Sequence, residues 1–486
     1  MIFVSTRNAS EKAEPSEALL RGLAEDGGLY VPESFPDCTD CIDISLDYKI
    51  LAARILSRYF TDFTFEEISE CTSSAYDEKF DTPEIAPIHT LDDAHFLELY
   101  HGRTLAFKDM ALSILPHLLS VAARKRCSKK LLILTATSGD TGKAALEAFA
   151  DAKDTAIVVF YPSQGVSAVQ KYQMITQTGD NVLVVGINGN FDDTQNGVKA
   201  IFADKEIAEE IDAASYSFSS ANSINIGRLL PQTAYYFHAY NTLLKENKIK
   251  KGEEINFAVP TGNFGNILAG YYAKKMGLPI RKLICASNSN KVLFDFFSNN
   301  EYDINRGFFC TISPSMDILI SSNFERLLYE QSDAETVSSL MESLKNSKRF
   351  SFTNKLDCFT AGYANEQETM DAIKSAADKG YLIDTHTAVA FSVYKKYKHA
   401  SGDLTKTVIL STANPFKFAA DVCRSIQKDY APETDFDALD HLSKLSKTEI
   451  PPQIRGIDKR PVRHPKIAES ADMPEIVKSF LKRRCL

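Results

Sequence analysis

INFAVPTGNFGNILAGYYAKKMGLPI, residues 255–280, holds a strand, a turn and a helix in one unbroken pattern. Residues 255–259 are mostly apolar and read as a buried strand, Pro260 stops it, and Gly262 and Gly265 bracket a tight turn. Ile267, Leu268, Tyr271, Tyr272 and Met276 then recur at helical spacing until Gly277 closes the helix. A glycine turn at a helix start gathers free backbone N–H groups at the positive end of the helix dipole, which makes an anion cup. No Lys-Ser/Thr pair follows, and the spacing is not Gly-x-Gly-x-x-Gly, so a small phosphate monoester is expected rather than ATP or NAD. A bare strand-to-helix connector is the plain alternative.

Two upstream segments give the cup company. HGRTLAFKD (101–109) sets Lys108 after an apolar stretch and just before the helical pattern Met110, Leu112, Ile114, Leu115, Leu118, Leu119. A partly desolvated lysine has a depressed pKa and serves as nucleophile or base; a solvated helix-start lysine is the ordinary reading. KLLILTATSGDTGKAALEAFA (130–150) is a second strand–turn–helix unit, its strand a continuous apolar run suited to a parallel sheet. Its turn, Thr137-Ser138-Gly139-Asp140-Thr141-Gly142, offers hydroxyl and N–H donors to a carboxylate or an aldehyde-derived oxygen. An N-cap by Ser138 or Asp140 would explain one of these polar residues, not four.

HGRTLAFKD, TSGDTG, SANSINIGR (220–228), PTGNFGN (260–266) and STANPFKF (411–418), in this order, resemble the motifs of threonine synthases. These are pyridoxal 5'-phosphate (PLP) enzymes of the tryptophan-synthase-β fold type. FVSTRN (3–8), RGLAEDGGLYVP (21–32) and SPSMDILISSNFERLL (313–328) are similar to segments of the longer members, and the resemblance covers about residues 1–430. It implies an α/β fold-type II PLP enzyme: two parallel or mixed sheet domains flanked by helices, plus a mainly helical N-terminal domain. Lys108 would carry PLP as a Schiff base. The amides of Gly262, Asn263, Phe264, Gly265 and Asn266 would hold the cofactor phosphate, and the Thr412 hydroxyl would lie near the pyridine nitrogen. Thr137, Ser138, Gly139, Asp140 and Thr141 would contact the substrate carboxylate and the 3'-oxygen, while Asn222, Ser223 and Arg228 would grip the substrate phosphate. Arg228 suits that oxyanion with its planar fork. His386, in DTHTAVA, is either structural or lines the site.

The implied reaction turns O-phospho-L-homoserine and water into L-threonine and phosphate, with Lys108 moving protons among the α, β and γ carbons. Two alternatives keep the motifs: a phospho-lyase releasing a 2-oxo acid, and a non-catalytic ligand-binding relative. Retention of Lys108 speaks against the second. The complete PTGNFGN cup speaks for a synthase.

Composition is compatible with this. A chain of 486 residues calls for two or three domains. Net charge of −9, with no basic-aromatic stripe, argues against nucleic acid. An anionic substrate must then be drawn by local donors. Nine scattered cysteines, with Cys38 and Cys41 the one C-x-x-C, read as reduced thiols of a cytoplasmic protein. No His-x-x-x-His pair or HExxH suggests a metal. Residues 1–11 lack an apolar run, so no secretory leader is expected, and no segment reaches the ~20 apolar residues of a membrane span.

Apolar strands are expected at 96–100, 131–134, 156–160, 182–185, 255–259, 283–286 and 407–410, separated by helical stretches. Residues 1–90 are assigned to the mainly helical N-terminal domain. Residues 91–245 form a smaller α/β domain with the PLP lysine and the substrate-carboxylate loop. Residues 246–430 form the larger PLP-binding domain, and 431–486 a C-terminal extension of undefined role. Gly186 and Gly189 form one more glycine turn, but Asp192 and Asp193 follow and would repel phosphate, so it is structural.

Overall fold

The computed structural model describes every residue except 127, 128, 138, 164, 165 and 486. Residues 255–280 form strand Ile255–Pro260, helix Gly265–Lys275 and the start of strand Ile280–Ser287. The first of these strands lies inside a six-stranded sheet. Its order is Phe359–Tyr363, Ile280–Ser287, Ile255–Pro260, Thr407–Ser411, Ala94–Glu98, Ile88–Leu91. Every pairing is parallel except that of the last two. Ile255–Pro260 and Thr407–Ser411 are buried throughout, as strands covered on both faces must be. Phe257 and Val259 pack into one core with Leu268 and Tyr236; Ala258 faces a second core with Val389 and Val393 of helix Thr385–Ser401. Strand alternation thus feeds two cores from one strand.

A second, all-parallel sheet runs Ile467–Ala468, Val182–Ile187, Thr155–Pro162, Lys130–Ala136, Tyr216–Ser219. Helix Asp140–Phe149 follows its strand Lys130–Ala136 and buries Ala144, Ala145, Leu146 and Phe149. The α/β fold-type II arrangement expected from the resemblance is the one observed.

The structure adds detail to three of these assignments. The first 90 residues hold helices Pro15–Arg21, Tyr48–Tyr59 and Phe65–Ala75, but also a three-stranded antiparallel sheet of Lys12–Ala13, Phe3–Ser5 and Tyr30–Pro32. Strands of two or three residues are too short for alternation to reveal. Strand Ala94–Glu98, placed in the smaller unit, instead pairs with Thr407–Ser411 in the larger sheet. Phe96 anchors it there against Tyr381 and Phe391. The C-terminal extension serves both sheets. Helix Asp435–Ser446 packs on helix Ala419–Ile426, whereas Ile467–Ala468 joins the edge of the second sheet beside Val182–Ile187. Helix Met473–Cys485 then buries Met473, Val477 and Leu481 with Val158 and Val185. A parallel sheet left with a bare edge and an uncovered face would expose backbone donors and apolar surface, and this segment closes both.

Candidate active site

Lys108 is the penultimate residue of the HGRTLAFKD segment and stands at the start of the one-turn helix Asp109–Leu112. The segment is fastened to STANPFKF. Phe107 N–H donates to Thr412 O at 2.8 Å, Asn414 N–H donates to Leu105 O at 3.0 Å, and Ala106 bridges Ala413. Two motifs some three hundred residues apart in sequence are therefore neighbours, and buried Thr412 lies beside the Lys108 backbone. The Lys108 side chain is 12% exposed. Burial pushes its amine pKa down; Asp140 acts against this, and Lys417 and Arg228 add to it.

The PTGNFGN turn is built for close approach. Ser315 O lies 2.5 Å from where a Cβ on Gly262 would stand, so only glycine fits. Phe264 takes the left-handed conformation (φ 64°), an unfavourable state for a side chain. Its ring is held edge-on to Phe324 at 5.0 Å. Gly265 opens the 11-residue helix behind the turn, which directs first-turn N–H groups into the cup. Asn266 accepts from Tyr235 Oη at 2.6 Å and Tyr236 Oη at 3.1 Å through Oδ1, while its buried Nδ2 has no partner among the described residues.

Asn323 ties the cup to the SANSINIGR loop. Its backbone N–H and its Nδ2 both donate to Asn263 O at 3.1 Å, and Nδ2 also donates to Ser223 O at 3.2 Å. Fully buried Arg326 donates to Tyr30 O at 2.9 Å, to Ile224 O at 2.6 Å and to Asn323 Oδ1. In the loop, Asn225 caps the short helix Ile226–Leu229 through a 2.8 Å bond from Gly227 N–H. Arg228 sits on that helix, 4% exposed, and donates through Nη1 to Ala221 O at 2.7 Å. Its Nε is buried without a partner, and among the described residues no carboxylate pairs with it. Burial lowers its pKa to about 10, so it remains a cation. Asn222 and Ser223 stand half-buried on the same loop.

In the TSGDTG turn the structure redistributes roles. Thr137 Oγ1 accepts from Gly139 N–H at 3.0 Å and Gly142 N–H at 2.8 Å, and donates to Gly139 O at 3.2 Å. It shapes the turn and has no hydroxyl proton left for a substrate. Asp140 contributes a carboxylate, which repels another carboxylate; its side chain meets Lys417 Nζ at 2.7 Å, Lys108 Nζ at 3.3 Å and Gln170 Nε2 at 2.8 Å. Burial alone would raise the Asp140 pKa, but Lys417 and then Lys108 outweigh it and hold it well below the carboxylate range. The donors that could serve a substrate carboxylate are thus the backbone N–H groups of Asp140 and Thr141, at the start of helix Asp140–Phe149, since the Gly139 N–H is taken by Thr137 Oγ1. Ser138 lies outside the described residues.

His386 is a positioning residue. Its Nε2 accepts from Ser315 N–H at 3.1 Å, which leaves the proton on Nδ1 to donate to Asp384 Oδ1 at 2.9 Å. Both ring nitrogens are spent, Nε2 on the 313–321 segment and Nδ1 on Asp384. Ser315 in turn touches both halves of the site, its O against Gly262 and its Oγ 3.5 Å from Lys108 Nζ. Ser315, Asn323, Arg326, Lys417 and Gln170 were not legible as site residues. For Ser315, Asn323, Arg326 and Lys417 the signal available was their presence in the quoted motifs 313–328 and 411–418; Gln170 carried none.

The residues suit PLP. Orphaned donors at Asn266 Nδ2 and Arg228 Nε, a glycine cup, and the buried cations Lys108, Lys417 and Arg228, the first two sharing one carboxylate, all call for anionic groups. Gly262 to Asn266 would hold the phosphate, Lys108 the carbonyl carbon and Thr412 the ring. Fold and site together define a pyridoxal-phosphate-dependent enzyme, and residues 93–413 match the family profile "Pyridoxal-phosphate dependent enzyme". Residues 2–76 match "Threonine synthase N terminus" and 387–480 match "Threonine synthase, C-terminal". The chain is 38% identical to threonine synthase of Pseudomonas aeruginosa, over 86% of this chain and 89% of that one. Against the crystal structure of PLP-bound threonine synthase from Brucella melitensis it gives a TM-score of 0.85 at 35% identity, covering 100% of this chain and 99% of that one. It is also 38% identical to threonine synthase-like 1 of Pongo abelii over 90% of its own length, spanning 62% of that longer relative. The chain belongs to the threonine synthase family.

Proposed function

We propose that this chain is a threonine synthase, converting O-phospho-L-homoserine and water to L-threonine and phosphate. The observation that carries the reading is Arg228: a buried guanidinium with no carboxylate and an orphaned Nε, placed near Lys108 but on a different loop from the cofactor cup. A cofactor phosphate stays bound, whereas a substrate phosphate must arrive and leave. Two separate anion sites fit a phosphorylated substrate on a phosphorylated cofactor. Asn222 and Ser223 lie on the same loop as Arg228, and the backbone N–H groups of Asp140 and Thr141 would orient the substrate carboxylate.

Bound PLP supplies the electron sink for charge developing at the substrate carbons. The chain supplies the rest. Lys108, its amine pKa lowered by burial, takes up and returns protons beside the bound substrate. Ser315 Oγ borders that amine, and His386 fixes Ser315. Arg228 holds the departing phosphate, and burial of the site limits water until it is needed. No helix among the described residues is long and apolar enough to cross a membrane, and cysteines 38, 41, 71, 285, 310, 358 and 423 are free thiols, which supports placing the enzyme in the reducing cytoplasm. The domain limits 1–90, 91–245, 246–430 and 431–486 stand as our division, with the exchanges of strands described above.

The test is product analysis with phosphohomoserine. Release of phosphate with a 2-oxo acid instead of threonine would make the protein a phospho-lyase, and binding without turnover would make it a ligand-binding relative.

A further inference from the structure

Lys417 belongs to the turn Pro415–Phe418, and its side chain is 0% exposed. Its Nζ donates to Thr104 O at 2.7 Å and lies 2.7 Å from Asp140 Oδ1. The other oxygen of Asp140 faces Lys108 Nζ at 3.3 Å. One buried carboxylate is therefore shared by two ammonium groups, each on its own oxygen. An ammonium fully removed from water is costly unless paired, and this pair is placed against the amine that does the chemistry.

We propose that Lys417 is a positioning residue for Lys108 acting through Asp140: it holds one oxygen of that carboxylate and so weakens the grip of the other oxygen on the Lys108 amine. Asp140 alone opposite Lys108 would form an undivided ion pair and keep the amine protonated. A second ammonium on the same carboxylate loosens that pair. Lys108 then gives its proton to water more readily, while Asp140 remains a carboxylate. The neutral amine is the form that attacks a carbonyl carbon. The charged groups facing Lys108 are Asp140, Lys417 and Arg228, with the Ser315 hydroxyl as a neutral neighbour. Lys417 faces Asp140 and, more distantly, Asp109, which burial raises to about 6. Burial lowers the Lys108 pKa first, and Lys417 lowers it further against Asp140.

This inference rests on Lys108 being the lysine that carries PLP. The experiment follows uptake of PLP by the apoprotein, by absorbance, as a function of pH; the pH midpoint of the rate reports the Lys108 amine. In Lys417→Met the midpoint rises by about one unit or more, equivalent to roughly tenfold slower uptake near neutral pH. Lys417→Arg keeps the wild-type midpoint. Asp140→Asn lowers the midpoint, and in that background Lys417→Met moves it by less than half as much. An unmoved midpoint in Lys417→Met overturns the proposal, as does an equal shift in both backgrounds. Should Lys417→Met not fold, Asp140→Asn decides, and an unmoved midpoint there overturns the proposal. Lys108→Ala is the control: if it still binds PLP covalently, the assignment of Lys108 falls instead, whatever the other variants do.

Discussion

Asn323 donates twice to one acceptor: its backbone N–H and its side-chain Nδ2 both reach the carbonyl oxygen of Asn263 at 3.1 Å. That carbonyl belongs to the cup, and the same Nδ2 reaches Ser223 O on the loop that carries Arg228. One side chain thus ties the cup to the Arg228 loop. Asn323→Ala removes both side-chain bonds, together about 2 kcal/mol, and should weaken PLP binding roughly thirtyfold. A fluorescence titration of apoprotein with PLP checks this. Unchanged affinity would show that the cup holds its shape without Asn323.

Arg228→Ala removes the guanidinium whose Nε is left without a partner. Loss of a charge-assisted contact to substrate phosphate costs about 1.5–3 kcal/mol, so kcat/KM for phosphohomoserine should fall roughly 10- to 150-fold. The absorbance of bound PLP and its affinity should barely change. If PLP is lost while the remaining holoenzyme shows normal kinetics, Arg228 serves the cofactor or the fold.

His101 gives a pH signature of stability. Its Nδ1 lies 2.5 Å from Asp81 Oδ1 and its Nε2 2.9 Å from Glu98 Oε2. Burial alone would lower its pKa, but the bonds to Asp81 and Glu98 outweigh this and raise it from 6.5 to about 9. A folded pKa above the unfolded one means stability that is complete below pH 6.5 and lost as pH rises through about 9. Urea unfolding at a series of pH values should show wild-type protein losing stability across that window more steeply than His101→Gln. Parallel profiles would contradict the assignment.

The C-terminal segment is structural. Met473 and Val477 are fully buried, and Leu481 nearly so, against the second sheet. Each such side chain is worth about 1.5–3 kcal/mol. Truncation after residue 465 also strips the edge strand from Val182–Ile187. The truncated chain should therefore unfold at a temperature several degrees lower or fail to accumulate in soluble form. An unchanged thermal midpoint would show that the segment contributes nothing to this unit.

Local chemistry was legible and long-range chemistry was not. The cup at 262–266 and the position of Lys108 follow from glycines, a proline and helical spacing within a few residues. Parallel strands announced themselves as apolar runs, whereas Tyr216–Ser219 and Phe359–Tyr363 mix small and polar residues and did not. The partners of Asp140 could not be read locally, because an acid at a helix start looks like a cap or a ligand contact. Its true neighbours, Lys108 and Lys417, come from two other segments. Asn323 and Arg326 owe their roles to carbonyls of Asn263, Ile224 and Tyr30, contacts that only the folded chain assembles.

The central claim is that this chain makes threonine from a phosphorylated amino acid. Holoenzyme incubated with O-phospho-L-homoserine, followed by proton and phosphorus NMR of the products, tests it most directly. The account predicts L-threonine and inorganic phosphate in equal amounts, with neither formed by Lys108→Ala. Phosphate accompanied by a 2-oxo acid, or substrate left intact by PLP-loaded protein, would contradict it.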